Sequence, residues 1–260
     1  MIPLRDNIPT ARKPVVTYAI IIANVLVYFL WQRGGLSWGS PTSQHYLENL
    51  SDWGAWPYEF VHPGQHCELV AQGAECGTHL PPQPATWITP FTAMFMHGGL
   101  LHLGGNMLFL WIFGNNVEDS MGRVKFVVFY VVGGLCAFAL QTVVSLHGGA
   151  TTLAVPTLGA SGAIAAVLGG YLLLFPRARV VTVIFIIFFF TILELPALLV
   201  LGFWFLEQAY ATAISYPSGG GGGVAYAAHV GGFLFGLLTI RVFSSRGRVE
   251  QQARSALWRR

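Results

Sequence analysis

The sequence predicts an all-α polytopic membrane protein, a single bundle of six transmembrane helices with a long loop after the first. Three observations predict it. The 260-residue chain is 54% hydrophobic and only 10% charged, against about 25% charged in soluble domains. Its mean hydropathy is +0.58. Apolar runs, several approaching the ~20 residues that cross a bilayer, take up most of the length and leave no room for a large second domain.

Residues 1–14 are polar and basic (Arg5, Arg12, Lys13) and rich in proline, a cytoplasmic N-terminal segment before a membrane domain at 15–243. The run Val15 to Trp31 ends in an aromatic and lacks a small-x-small cleavage site, so it reads as the first membrane helix and not as a signal peptide. Residues 32–98 form a long insertion, and connections of this length usually carry structure or function. Its Trp38, Trp53, Trp56, Tyr58 and Trp87 suggest a loop partly sunk at the membrane interface. The second helix runs from about Gly99 to Phe113, followed by a polar turn over Gly114 to Lys125. The third covers about Val124 to Leu146 and the fourth about Leu158 to Phe175.

The stretch Val180 to Tyr210 is apolar but contains Glu194 and Pro196, which a single helix would carry mid-span. It reads better as a β-branched and aromatic interfacial segment, Val180 to Phe190, then a fifth helix starting near Pro196, since proline is tolerated in a first turn. Ser218 and Gly219 to Gly223 make a low-complexity hinge before the sixth helix, Val224 to about Phe243. Residues 244–260 are a basic tail, expected to be mobile.

Charge orients the bundle. With the N-terminus cytoplasmic, six crossings put residues 1–14, 114–125, 176–179 and the tail inside. These hold every Lys and Arg apart from Arg33 and Arg241, the latter at the inner end of the sixth run. The extracytoplasmic loop 32–98 instead holds Glu48, Asp52, Glu59, Glu68 and Glu75. The pattern obeys the positive-inside rule and puts both termini in the cytoplasm. It also explains the net charge of +3 without a nucleic-acid partner.

Polar side chains are costly inside a bilayer, so those that remain mark sites by default. The second, fourth and sixth helices run from outside to inside, and each carries polar groups within its first two turns: His102 with Asn106, Ser161, and His229. At ~1.5 Å rise per residue these lie on the order of 5 to 10 Å below the outer surface. Small residues recur on the serine face of the fourth helix (Ala165, Gly169), and Gly232-x3-Gly236 shares a face with His229 on the sixth. Such stripes let two backbones approach and bring the imidazole towards the hydroxyl.

A serine hydroxyl needs a base to take its proton, and histidine suits that task. His102 and Asn106, one turn apart, together with Gly159 and the backbone N–H of Ser161, would form the donors of an oxyanion pocket. No carboxylate lies within two turns of His229, so the expected arrangement is a dyad, with Glu207 a remote candidate for a third member.

These residues carry a resemblance. The run His97-x4-His102-x3-Asn106, then Glu118-x3-Gly122-Arg123, then Gly159-Ala160-Ser161-Gly162, then Ala228-His229-x2-Gly232-x3-Gly236, resembles the rhomboid intramembrane serine proteases in their basic six-helix form. It covers residues 87–243. The resemblance implies Ser161 as nucleophile, His229 as base, and His102 and Asn106 as oxyanion stabilisers. It also implies cleavage of single-span transmembrane protein substrates near the outer leaflet, with no metal or cofactor and with the fifth helix as a lateral gate. Two positions depart from the family pattern. Ala165 stands where an aromatic often stacks on the catalytic imidazole, so something else must hold His229. Ile88, not arginine, follows Trp87, which removes a usual anchor of the first loop.

Duller readings stand beside these. Ser161 alone is a packing residue, Asn106 alone a helix glue, and His97 either a structural hydrogen-bonding group or part of the site wall. Glu118 and Asp119 order the inner turn by pairing with Arg123 or by capping a helix. Cys67 and Cys76 are a candidate disulfide, with free thiols or a zinc site involving His62, His66 and His79 as alternatives. At the level of function, a non-proteolytic rhomboid-like binder of transmembrane segments is the alternative. A transporter is disfavoured by the absence of internal repeats. The peptidase reading also predicts a polar cavity open to the outside and capped by Gly219 to Gly223.

Overall fold

In a computed structural model the chain is mostly helical, and the structure describes residues 1–70, 73–186, 189–215 and 224–257. In chain order, strand β1 (Ile2–Asp6) precedes helix α1 (Val15–Leu26), which continues through a π-helical turn to Trp31. The 32–98 insertion holds α2 (Gln44–Trp53), α3 (Pro57–Val61), the hairpin β2 (His66–Val70) and β3 (Gly73–Gly77), and α4 (Thr89–Ala93). Then come α5 (Leu100–Phe109) with a π-helical turn to Gly114, α6 (Asn115–Met121), α7 (Arg123–His147) and the short α8 (Ala150–Leu153). Helix α9 (Ser161–Leu174) leads into strands β4 (Arg179–Ile186) and β5 (Phe189–Pro196), and α10 (Ala197–Ser215), α11 (Tyr226–Phe243) and α12 (Arg246–Leu257) complete the chain.

Among the described residues α7, α10 and α11 are long and apolar enough to cross a membrane, and Val15–Trp31 and α9 are shorter apolar helices. Helix α9 is the centre of the bundle: every residue from Gly162 to Tyr171 is buried. It is apolar on all sides, as a helix must be when neighbours surround it. Against α11 the approach is too close for side chains. A Cβ on Gly232 would overlap the Gly162 carbonyl, and one on Gly236 the Ala166 carbonyl, so the Gly232-x3-Gly236 stripe is what seats α11 on α9.

The all-α expectation is corrected by five described strands. The segment expected to be merely interfacial is an antiparallel hairpin, β4–β5, extended on its β4 edge by β1 in the order β1-β4-β5. The physical reason is local: the β-branched and aromatic residues of Val180 to Leu195 favour extended backbone and pair with one another. The proline expected in the first turn of the fifth helix is the last residue of β5, and α10 starts at Ala197.

The basic tail is likewise corrected. It is not a loose end but helix α12, seated on α6, where Gln252 Nε2 donates to the Asn116 carbonyl at 3.2 Å. Of the two roles open for Glu118 and Asp119, Glu118 takes the capping one, and Asp119 pairs with Arg12 in place of the expected Arg123. Glu118 accepts from the N–H groups of Val16 and Thr17 (3.1 and 2.7 Å) and from the Thr17 hydroxyl (2.8 Å), satisfying first-turn donors of α1. Asp119 accepts from the Ala11 N–H at 2.7 Å and pairs with Arg12.

The long insertion braces the entry to α9. Ala55 and Thr157 exchange backbone hydrogen bonds (3.1 and 2.8 Å), and the Gly159 N–H donates to the Ala93 carbonyl at 2.8 Å. Cys67 and Cys76 face one another across β2–β3 and are joined by a disulfide. Trp87 is exposed, consistent with a first loop that lacks the Trp-Arg anchor.

Candidate active site

Ser161 is the first residue of α9, so its own N–H belongs to the first-turn donors that have no intrahelical acceptor. The preceding Gly159 has φ +113°, a conformation that favours glycine, and a Cβ there would also overlap the His102 ring. Glycine is thus required twice, once for the turn into the helix and once to admit the imidazole. The Gly159 N–H is already engaged by Ala93 and so is not an oxyanion donor, which corrects the sequence expectation for that residue.

Helix α11 brings His229 to the serine. Its Nε2 lies 2.8 Å from Ser161 Oγ, while its Nδ1 lies 2.7 Å from Gln208 Oε1 on α10. On α5, the Gly98 N–H donates to His102 Nδ1 at 3.2 Å. A ring nitrogen that accepts is unprotonated, which leaves the His102 proton on Nε2, the nitrogen beside Gly159. Asn106, one turn further along α5, is 8% exposed, and its Nδ2 has no hydrogen-bond partner among the described residues. Ser161, His229, His102 and Asn106 all line one cavity of about 780 Å³, together with Trp204 of α10.

Other predicted residues do not line the cavity, although the His97 ring packs edge-on against that of His102 at 5.1 Å. The His97 side chain is buried and outside that cavity lining, and its backbone carbonyl accepts from Gln32 Nε2 and the Tyr46 hydroxyl (3.3 and 3.1 Å). Glu207 is exposed. The expected cap, Gly219 to Gly223, lies outside the described residues. What sequence reasoning missed is next to Glu207: Gln208, and Trp204 one turn earlier, whose ring lies 5.6 Å from that of His229 at a 37° tilt. The available signal was Trp204-x3-Gln208, a polar amide and an indole on one face of an otherwise apolar run.

Fold and site together define a helical membrane protein that holds a hydrogen-bonded, half-buried serine and histidine from two closely packed helices, facing a cavity with further polar side chains. The Rhomboid domain matches residues 84–246, well over half of the chain, and the chain belongs to the rhomboid family. It is 31% identical over 152 residues to Rhomboid protein 1, mitochondrial, of Saccharomyces cerevisiae, covering 55% of this chain and 38% of that protein. Over 160 residues it is 30% identical to Rhomboid protease GluP of Bacillus subtilis (62% of this chain, 24% of that protein). It is also 30% identical over 151 residues to the mouse Presenilin-associated rhomboid-like protein, mitochondrial (55% and 34%). The matched stretch therefore spans well under half of the length of each of these relatives.

Proposed function

We propose that the protein is an intramembrane serine endopeptidase. The observation that carries this reading is the 2.8 Å contact between His229 Nε2 and Ser161 Oγ, opening onto a cavity shared with His102 and Asn106. In the proposed reaction Ser161 Oγ attacks a peptide carbonyl carbon as its proton passes to His229 Nε2. The negative charge that develops on the carbonyl oxygen is met by His102 Nε2–H, Asn106 Nδ2–H and the Ser161 N–H. The Asn106 Nδ2, which lines the cavity without a partner among the described residues, supports this, because such a donor is available to the developing charge. His229 then gives its proton to the leaving amine, and water, activated by the same imidazole, hydrolyses the acyl-serine.

The same reading assigns residues 15–243 to the membrane domain, with six crossings by α1, α5, α7, α9, α10 and α11. Residues 1–14 and 244–260 then face the cytoplasm, in a bacterial plasma membrane. Substrates are single-span transmembrane proteins, cut near the outer leaflet. The charge distribution supports this orientation, since the acidic 32–98 loop and the basic tail fall on opposite sides.

The experiment is cleavage of a panel of single-span substrates by purified protein in liposomes, comparing the native chain with Ser161→Ala and His229→Ala. Cutting near the outer end of the span, abolished by either substitution, is the expected result. A native protein that cuts nothing yet still retains the same helices would replace this reading with capture of transmembrane segments without proteolysis.

A further inference from the structure

We propose that Gln208 is a positioning residue that sets the tautomer of His229, so that helix α10 arms the base as well as walling the cavity. This rests on the peptidase reading above.

An imidazole has two nitrogens, and only one tautomer can act on Ser161: the proton must sit on Nδ1 and the lone pair on Nε2. In most serine–histidine sites a carboxylate selects that tautomer by accepting from Nδ1–H. Here the groups facing the His229 ring are neutral or weakly basic. Ser161 comes from α9, Trp204 and Gln208 from α10, and His102 from α5 across the cavity. Glu207, beside Gln208 in sequence, is exposed, and Gln141 of α7 accepts from the Ala228 N–H. The 2.7 Å contact from His229 Nδ1 to Gln208 Oε1 is the one that can select the tautomer, because an amide oxygen only accepts. Gln208 is 6% exposed on an apolar helix, where an amide is costly to bury unless it is bonded.

Trp204 completes the support. It lies one turn before Gln208 on the same face, with its ring against the imidazole, and supplies from α10 an aromatic contact that Ala165 of α9 cannot. One helix therefore fixes both the position and the protonation of the base. Of the three long apolar helices, α10 is also the least embedded, with 22% of its span buried against 39% for α7 and 33% for α11. Displacing α10 would withdraw Gln208 and Trp204 together, so the base is competent only while α10 is seated.

The test compares native protein with Gln208→Met, which keeps the length but removes the acceptor, and Gln208→Glu, whose carboxylate can only accept. Three quantities are read: kcat and KM on a transmembrane substrate, the rate at which a fluorophosphonate labels Ser161, and the pH dependence of kcat. For Gln208→Met, kcat and labelling should each fall on the order of 100-fold with KM nearly unchanged. Gln208→Glu should recover most of that loss and move the acid limb of the kcat profile to higher pH, because the added charge favours the imidazolium. If Gln208→Met alters only KM or thermal stability, or if Gln208→Glu neither recovers activity nor moves the limb, the positioning role is overturned. Nitrogen NMR of labelled histidine separates this from failure of the peptidase reading. The His229 Nδ1–H signal should be present in native protein and lost in Gln208→Met whether or not any substrate is cut, and its absence from native protein overturns the proposal.

Discussion

The Tyr171 hydroxyl donates to the Asp6 carboxyl group at 2.5 Å, tying strand β1 to the C-terminal part of the helix that opens with Ser161. Asn116 Nδ2 donates to the same oxygen at 2.6 Å, so one carboxyl group near the N-terminus joins α6 and α9. The pairing of β1 with β4 extends this connection to the hairpin that precedes α10.

That connection is pH-sensitive. Burial pushes the Asp6 carboxyl from its ordinary value of 3.8 up to about 7, outweighing the hydrogen bonds that lower it. The folded protein then holds a proton that the unfolded chain has released between those two values. The associated stability is complete below about 4 and is lost as pH rises through about 7. Thermal denaturation in detergent should show a midpoint that falls over this window in native protein and a flatter profile in Asp6→Asn. Equal slopes for the two proteins would show that Asp6 is ionised throughout.

Asn106 offers a second test because its two readings predict different losses. As an oxyanion donor, its replacement by alanine should lower kcat on the order of 100-fold or more while leaving KM and the thermal midpoint nearly unchanged. As a helix glue it would lose stability first, with activity following the folded fraction. Steady-state kinetics beside a melting curve separates the two, and the Nδ2 with no partner among the described residues favours the former.

Much of this was legible in the sequence because bilayer energetics makes polar residues conspicuous. Ser161, His229, His102 and Asn106 stand out from apolar runs, and the structure brings them to one cavity. Gln208 was equally polar but sat beside Glu207, and attention to carboxylates hid the neutral acceptor. The β4–β5 hairpin was half legible: its composition argued against a helix, but the register of its two strands and the pairing of β4 with β1, far away in sequence, are not written in periodicity. The role of Gly159 was misread because the Ala93 carbonyl that occupies its N–H comes from the long insertion, whose path no periodicity reveals.

The α9–α11 contact gives a third prediction. A methyl group on Gly236 would overlap the Ala166 carbonyl, backbone that cannot rotate away, so Gly236→Ala should cost roughly 1–3 kcal/mol of stability. Gly236 lies two turns, about 10 Å, below His229 on the same helix. The shift that relieves the overlap should therefore also move the imidazole off Ser161, and activity should fall by more than the unfolded fraction explains. Gly202→Ala on α10 is the control, since its new methyl group would meet no described atom within 4 Å. It should be neutral or slightly stabilising in the same assays.

The last prediction concerns the hairpin. Phe185, Phe189, Phe190 and Ile192 are 62, 79, 68 and 55% exposed, a cluster too apolar to face water without cost. It is continuous along the chain with α10, whose Leu198, Leu199, Phe203 and Leu206 are also exposed as lipid-facing residues are. At the opposite end of the strands Arg179 pairs with Glu194 at 3.6 Å, a polar boundary suited to the headgroup layer. The hairpin should therefore lie with its aromatic end among the acyl chains of the leaflet that the basic segments face. A nitroxide attached at Phe189→Cys, with Cys136 replaced and the Cys67–Cys76 disulfide intact, reports this directly. In liposomes it should relax faster with oxygen, which partitions into lipid, than with a water-soluble nickel complex. The reverse order would place the aromatic end in water and leave the cluster to be covered by protein.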